Sequence, residues 1–327
     1  MTEGNCRIRT DLAVETQERV QRSRQASSGV TVHKESHEHE TTISTVIIET
    51  ENAAKELKRP KGHYVTLENP HMSEDDVDYH REISMELAHC IRALLPDPQR
   101  NQDILDDLEQ EIDYAVLVVG LGNRQVTPDA LGPSVVDNLY ITRHIINEFG
   151  RYAFGKERIS KVSAIVPGVM AQTGMECVEI LRGVVEQTHP DLMITVDALA
   201  ARSTRRLGRT VQLTDTGITP GSGIGNHRNA INKESVGVPV ISIGIPTVVD
   251  AATIVTDAVT DFMEALREKK ELSAQDDPAQ LAQEMLSPQL YGMFVTPKDI
   301  DESIKQLSFL ISEAINVAFL GNRQDAW

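Results

Sequence analysis

Two aspartates at the ends of apolar runs are the residues best placed for chemistry. Asp129 follows the valine-rich run Tyr114 to Val119 through a glycine turn, and Asp197 directly follows Leu192 to Val196, LMITV. A carboxyl group at the rim of a buried strand loses part of its hydration, which raises its pKa. Two such groups brought together repel, so one keeps its proton near neutral pH. The result is a general acid beside a general base that activates water, which is hydrolase chemistry. Each aspartate also has a structural reading. Asp129, in TPDALGP ahead of a helix, can be an N-cap, and Asp197 can accept a backbone hydrogen bond in a turn before Ala198.

Around them stand further candidates. In open α/β sheets the ligand crevice lies beyond the carboxyl ends of the strands. Those ends carry Gly120, Gly122 and Asn123, then Pro167 and Gly168, then Asp197. The glycines of PGSGIGN, Gly221, Gly223 and Gly225, offer backbone N–H groups to a phosphate or a peptide backbone. Competing motifs fall short. GLGNRQ lacks the third glycine of a dinucleotide fingerprint, because Gln125 stands in its place. Asp215-Thr216-Gly217 matches the tripeptide of pepsin-like proteases but leads into ITPGSGIG and reads as a turn, while Ser222, though between glycines, has Pro220 and Ile224 where a nucleophile elbow needs glycine. A metal-dependent hydrolase would use Asp129 and Asp197 as ligands but needs a third. His144 falls in mid-helix and His189 and His227 in loops. No metal and no cofactor is therefore assigned. If both aspartates are caps, the chain is a binding module instead.

The elements that must position these residues alternate. Continuous apolar runs at Tyr114–Val119, Val162–Val166, Leu192–Val196 and Val240–Ile245 predict strands covered on both faces. Helices are expected over 131–148, 174–187, 251–267 with Asp250 as cap, and 297–319. The fold class is α/β, a mostly parallel sheet with helices on both faces, and Thr210–Leu213 is expected at its edge. Ahead of it lies a smaller region, with strands at Thr41–Thr50 and Gly62–Leu67 pairing as an antiparallel ribbon. A helix is expected over 73–95 capped by Ser73, and an acidic helix over 102–112. Residues 1–40 read as a loosely docked polar segment, with His33, His37 and His39 among glutamates in a solvated loop. Residues 271–290 read as a surface excursion.

Composition narrows the function. The chain has 327 residues, 40% of them hydrophobic, and a formal charge of -17, which opposes direct nucleic-acid binding because phosphate contacts need clustered Lys and Arg. Its apolar runs fall short of the roughly 20 residues that span a bilayer, and the polar N-terminus is unlike a signal peptide. A cytoplasmic protein with no membrane association is expected. Cys6, Cys90 and Cys177 are widely spaced and read as free thiols.

Long blocks of this sequence resemble the germination proteases of endospore-forming bacteria. They include RTDLAVE at 9–15, GLGN at 120–123, VTPDALGP at 126–133, SAIVPGVM at 163–170, VDALAARS at 196–203, DTGITPGSGIGN at 215–226, IGIPTVVDA at 243–251 and MFVTPKDID at 293–301. The resemblance implies an endopeptidase of the spore core that degrades small acid-soluble spore proteins during germination, a homotetramer, and a fold similar to hydrogenase maturation proteases. It places the catalytic aspartates at Asp129 and Asp197. It also implies a zymogen that removes its own N-terminal segment at an acidic residue followed by a large apolar residue and Ala. Asp11-Leu12-Ala13 fits that context, so residues 1–11 are expected as prosegment, cut between Asp11 and Leu12. Residues 12–112 then form an N-terminal region packed on a catalytic core of 113–327.

Overall fold

The computed structural model describes residues 10–22, 29–74, 76–96, 108, 112–155, 158–221, 228–268, 290 and 292–321. In chain order the elements begin with α1 (Ala13–Arg22), β1 (Val30–Ser36), β2 (Thr42–Ile48), α2 (Glu51–Leu57), β3 (Gly62–Glu68) and α3 (Val77–Ala93). Next come β4 (Ala115–Gly120), α4 (Leu131–Asp137), α5 (Arg143–Phe149), β5 (Lys161–Ile165), α6 (Cys177–Thr188) and β6 (Leu192–Ala201). The chain continues through β7 (Thr210–Thr214), β8 (Val240–Asp250), α7 (Ala251–Glu268), β9 (Phe294–Val295) and α8 (Ile300–Leu320).

The nine strands of the described residues join one sheet, in the order β1-β2-β3-β7-β8-β6-β4-β5, with β9 paired to β8. The strands β5, β4, β6 and β8 run parallel, as βαβ crossovers require. From β8 outward through β7, β3, β2 and β1 every pairing is antiparallel. The sheet is therefore mixed, not mostly parallel. The expected ribbon β2–β3 is real, but it extends the main sheet through Tyr64↔Thr214 to Glu68↔Thr210. β7 is accordingly an interior strand, with Val211 and Leu213 fully buried, not an edge.

Because side chains alternate along a strand, the sheet has two apolar faces. Val116, Val118, Ile194, Val196, Ile241 and Ile243 pack with α3, α4 and α8 on one face. Leu117, Val119 and Met193 pack with Val178 and Leu181 of α6 on the other. In α8 one apolar stripe, Ile304, Leu307, Ile311 and Ile315, is buried and Ile300 half-buried. Asp250 caps α7 as expected, accepting from the Thr253 N–H at 3.0 Å, whereas Phe262 lies exposed.

Several boundaries differ from expectation for local reasons. The helix read over 131–148 is two, because the Thr142 hydroxyl donates to Ser160 and accepts from the Val162 N–H, tying the break to the start of β5. The helix at 73–95 starts later, where Asp76 accepts from the Tyr79 N–H, so Ser73 is not its cap. Residues 30–36, within the segment read as loose, form β1, a polar outer strand whose charged side chains suit an edge. Leu12 to Gln17 are buried, not loosely docked. The acidic helix over 102–112 and most of 271–290 fall outside the described residues.

Arg92 ties α3 to the C-terminal helix. It is 1% exposed, and its guanidinium donates to the carbonyls of Ala318 at 2.9 Å and Leu108 at 3.2 Å. Arg92→Leu leaves two buried carbonyls without this donor, and we expect a loss of about 3 kcal/mol in stability, read from the urea unfolding midpoint.

Candidate active site

The loop after β4 is clasped onto the middle of β6. Leu121 donates its N–H to the Val196 carbonyl at 2.8 Å, and Gly132 lies so close that a Cβ there would collide with the carbonyl oxygens of Leu121 and Val196. Gly122 takes φ +112°, and a Cβ on it would run into the Asp129 carbonyl. That approach lets one N–H, that of Asn123, donate to both the Asp129 carbonyl at 3.0 Å and its Oδ2 at 2.9 Å. Thr247 of β8 adds a hydrogen bond to the Pro128 carbonyl at 2.7 Å. Asp129 is thus fixed from both sides. It does not cap α4, whose N-cap is Ala130 without a side-chain bond.

Asp197 lies within β6, since that strand runs on to Ala201. It is 5% exposed, and its Oδ1 accepts from the Ala198 N–H at 3.0 Å. Burial holds its pKa well above the usual carboxylate range, and the charges of Asp129 and Asp11 push it the same way. Burial also raises Asp129, against the Asn123 N–H and the Arg228 charge, which favour its ionised form. Arg228 acts on Asp197 in the same sense. The two carboxyls are therefore unequal. Both are shifted towards the protonated form, and Asp197, raised well above the usual range, holds its proton the more firmly of the two.

Other sequence-predicted residues fall around this pair. Asn123 Oδ1 accepts from the Gln172 side chain at 3.1 Å, joining the end of β4 to the loop after β5. In that loop Pro167 is buried, Gly168 takes φ +74°, and its carbonyl lies 3.6 Å from the Cys177 sulfur. Burial raises the Cys177 thiol, which keeps it protonated. Gly120 meets the Gly132 carbonyl where a Cβ would sit, so it serves the clasp. A cleft of about 250 Å³ opens beside Asp197, lined also by Asp11, Arg59, Tyr64, Gln212 and Gly221. Gly223 and Gly225 lie outside the described residues. Asp215 stands apart, accepting from the His63 N–H and pairing with its ring at 2.7 Å, in the turn that the sequence suggests. Among the described residues no group of three His, Cys, Asp or Glu side chains is arranged to hold a metal ion, so no step is routed through one.

Sequence reading missed three residues here. Arg228 follows the glycine loop without any local pattern. Arg59 precedes the Pro60 break. Gln212 carried the one usable signal, a polar side chain inside the apolar strand TVQLT.

A family model described as germination protease matches residues 8–282. The chain is similar to germination proteases of Caldanaerobacter subterraneus subsp. tengcongensis (43% identity, 95% of this chain and 94% of the relative) and Clostridium perfringens strain SM101 (38%, 96% and 96%). It is also similar to that of Geobacillus sp. strain WCH70 (37%, 95% and 93%). The chain belongs to the germination protease family. It is a peptidase, a hydrolase of the peptide bond connected with spore germination. No helix among the described residues is long and apolar enough to cross a membrane.

Within this germination protease fold the raised carboxyl has a cost in stability. A folded-state pKa above the unfolded value of about 3.9 means that the native state binds the extra proton. Stability then falls as pH rises from the unfolded pKa through the folded one. Asp197→Asn removes that dependence. We expect its Tm to exceed that of the parent at pH 8 by more than at pH 4, in calorimetric scans across this range. Gly122→Ala acts oppositely, displacing the Asp129 loop, and should cost about 2 kcal/mol in denaturant unfolding.

Proposed function

We propose that this chain is an endopeptidase that begins the degradation of small acid-soluble spore proteins during germination, with Asp129 and Asp197 as its acid–base pair. The observation that supports this reading is a buried carboxyl within β6 that feels the charge of a second carboxyl, Asp129, held by its backbone in the clasped loop after β4. Asp129, raised less than Asp197 because the Asn123 N–H and the Arg228 charge steady its anion, takes a proton from water as the water attacks the peptide carbonyl. Asp197, biased towards its acid form, gives a proton to the carbonyl oxygen or the departing amine. The expected likeness to hydrogenase maturation proteases concerns the parallel half of the sheet, which bears both groups. The enzyme works in the spore core as a homotetramer. It is made as a zymogen that cuts itself between Asp11 and Leu12, both of which lie at this cleft or pack beside it.

Replacement of either Asp129 or Asp197 by Asn is expected to lower kcat for purified spore protein by about a thousandfold or more. The same loss on adding a chelator to the parent enzyme would favour a metal-bound hydroxide, and full activity in either variant would overturn the mechanism. Mass spectrometry after acidification should show a new N-terminus at Leu12. The pair titrates together, so kcat/KM should be bell-shaped in pH. Arg228 lowers both carboxyl pKa values; Arg228→Gln should therefore move both limbs of that profile to higher pH.

A further inference from the structure

The chain's own Asp11 lines the cleft just ahead of α1, which opens at Ala13, and the main chain of this segment is held there by residues of the sheet. Asp11 donates its N–H to the Ala200 carbonyl at 2.9 Å, and its carboxylate accepts from the Ala200 N–H at 2.9 Å. One residue at the end of β6 thus holds both the main chain and the acid. The Gln212 side chain then brackets the next residue, donating to the Asp11 carbonyl at 3.0 Å and accepting from the Ala13 N–H at 2.6 Å. Only an amide carries a donor and an acceptor in that fork.

The strand register explains how Gln212 reaches the same peptide as the acid–base pair. Asp197 pairs with Gly244 of β8, and Gly244 pairs with Gln212 of β7. Paired residues point to one face, so Asp197 and Gln212 stand on the same side, about 10 Å apart across two strand spacings. Between them is a residue without a side chain. Leu12, fully buried, packs with Leu199, Ala201 and Val249. Ala13, 2% exposed, is enclosed by Val46, Ile48, Ala53, Leu57 and Tyr64, where a larger side chain has no room. Arg59 donates to the Thr10 carbonyl at 3.3 Å and lies over the Tyr64 ring, with its charge acting on Asp11. Its Nε is buried with no hydrogen-bond partner among the described residues.

We infer that Gln212, Arg59 and the backbone of Ala200 form a substrate cradle that selects an acidic residue, a large apolar residue and Ala in succession, and that the chain's own Asp11-Leu12-Ala13 occupies it here. Gln212 is the main-chain clamp and Arg59 the determinant of the acidic preference. Both are positioning residues. The inference rests on the proposed acid–base role of Asp197, which the cradle adjoins.

The test follows self-processing of the full chain by mass spectrometry, then cleavage in trans of the peptide RTDLAVET and its Asn and N-methyl-Ala forms by the processed protein. Gln212→Leu should slow self-processing by about tenfold to a hundredfold, for two lost hydrogen bonds, and raise KM for the peptide more than it lowers kcat. N-methylation of the Ala should harm the parent enzyme and add little harm to Gln212→Leu. Arg59→Met should collapse the preference for the Asp over the Asn peptide, with Arg59→Lys restoring part of it. Asp11→Asn and Ala13→Leu, made in the segment and not in the sheet, should each slow processing as well. If Gln212→Leu folds and processes at the parent rate, or if Arg59→Met keeps the Asp preference, the cradle is wrong and these contacts only dock the N-terminus. Should Gln212→Leu fail to fold, parent cleavage that is indifferent to the Asn and N-methyl peptides overturns it equally. Processing by Asp197→Asn would instead refute the proposed function and leave the cradle to be judged by the peptides.

Discussion

Burial of Asp197 next to a second carboxyl is the constraint on which the site depends. Two like charges in a dehydrated place cannot both ionise cheaply, and the chain holds them there by backbone geometry. The clasp of Leu121 on Val196, the close approach of Gly132, and the double acceptance by Asp129 of one N–H leave that loop no other conformation. Each contact excludes a Cβ or uses a main-chain group. Side-chain packing alone would not resist the repulsion, because side chains can turn away and a clasped backbone cannot.

Support for this arrangement comes from parts of the chain far apart in sequence. Thr247, late in β8, holds Pro128 in the loop after β4. Glu15 of α1 accepts from the N–H groups of Arg202 and Ser203 just past β6, and pairs with Arg206. Arg206 also meets Glu18 and Glu68, so one half-buried guanidinium joins α1, β3 and the turn before β7. The N-terminal helix is therefore fastened downstream of Leu12, independently of the contacts that hold Asp11.

The parallel half of the fold was legible because its strands are continuous apolar runs, and Asp197 stood out because it ends one of them. What the run did not reveal is that β6 continues past Asp197 to Ala201, since VDALAA alternates too weakly to separate strand from turn. The antiparallel half was hidden for a different reason. β3 meets β7 only across some hundred and forty residues, as Leu67 pairs with Val211, and no local periodicity encodes a partner at that distance. β1 was unreadable because an edge strand with one solvated side, VTVHKES, has the composition of a loop. Asp129 was found, but its role as acceptor and not cap depends on φ at Gly122, which only the folded turn dictates. Arg228 left no trace, because a single arginine after a glycine loop has no pattern to break.

The electrostatics of the cleft link its occupant to its chemistry. The charge of Asp11 raises the pKa of Asp197, and a coupling of this kind is reciprocal. Whatever favours the protonated form of Asp197 favours an acidic side chain in the position of Asp11, and an acidic side chain there favours the protonated acid. Arg59 meets the other partner: burial disfavours its charge, and the charge of Asp11 offsets that burial. Arg228 works against the coupling by steadying both carboxylates as anions. A peptide carrying Asn in place of Asp would lose the Arg59 attraction and also leave Asp197 a weaker holder of its proton. On the proposed reading, preference for an acidic residue and readiness of the general acid are consequences of the same pair of charges.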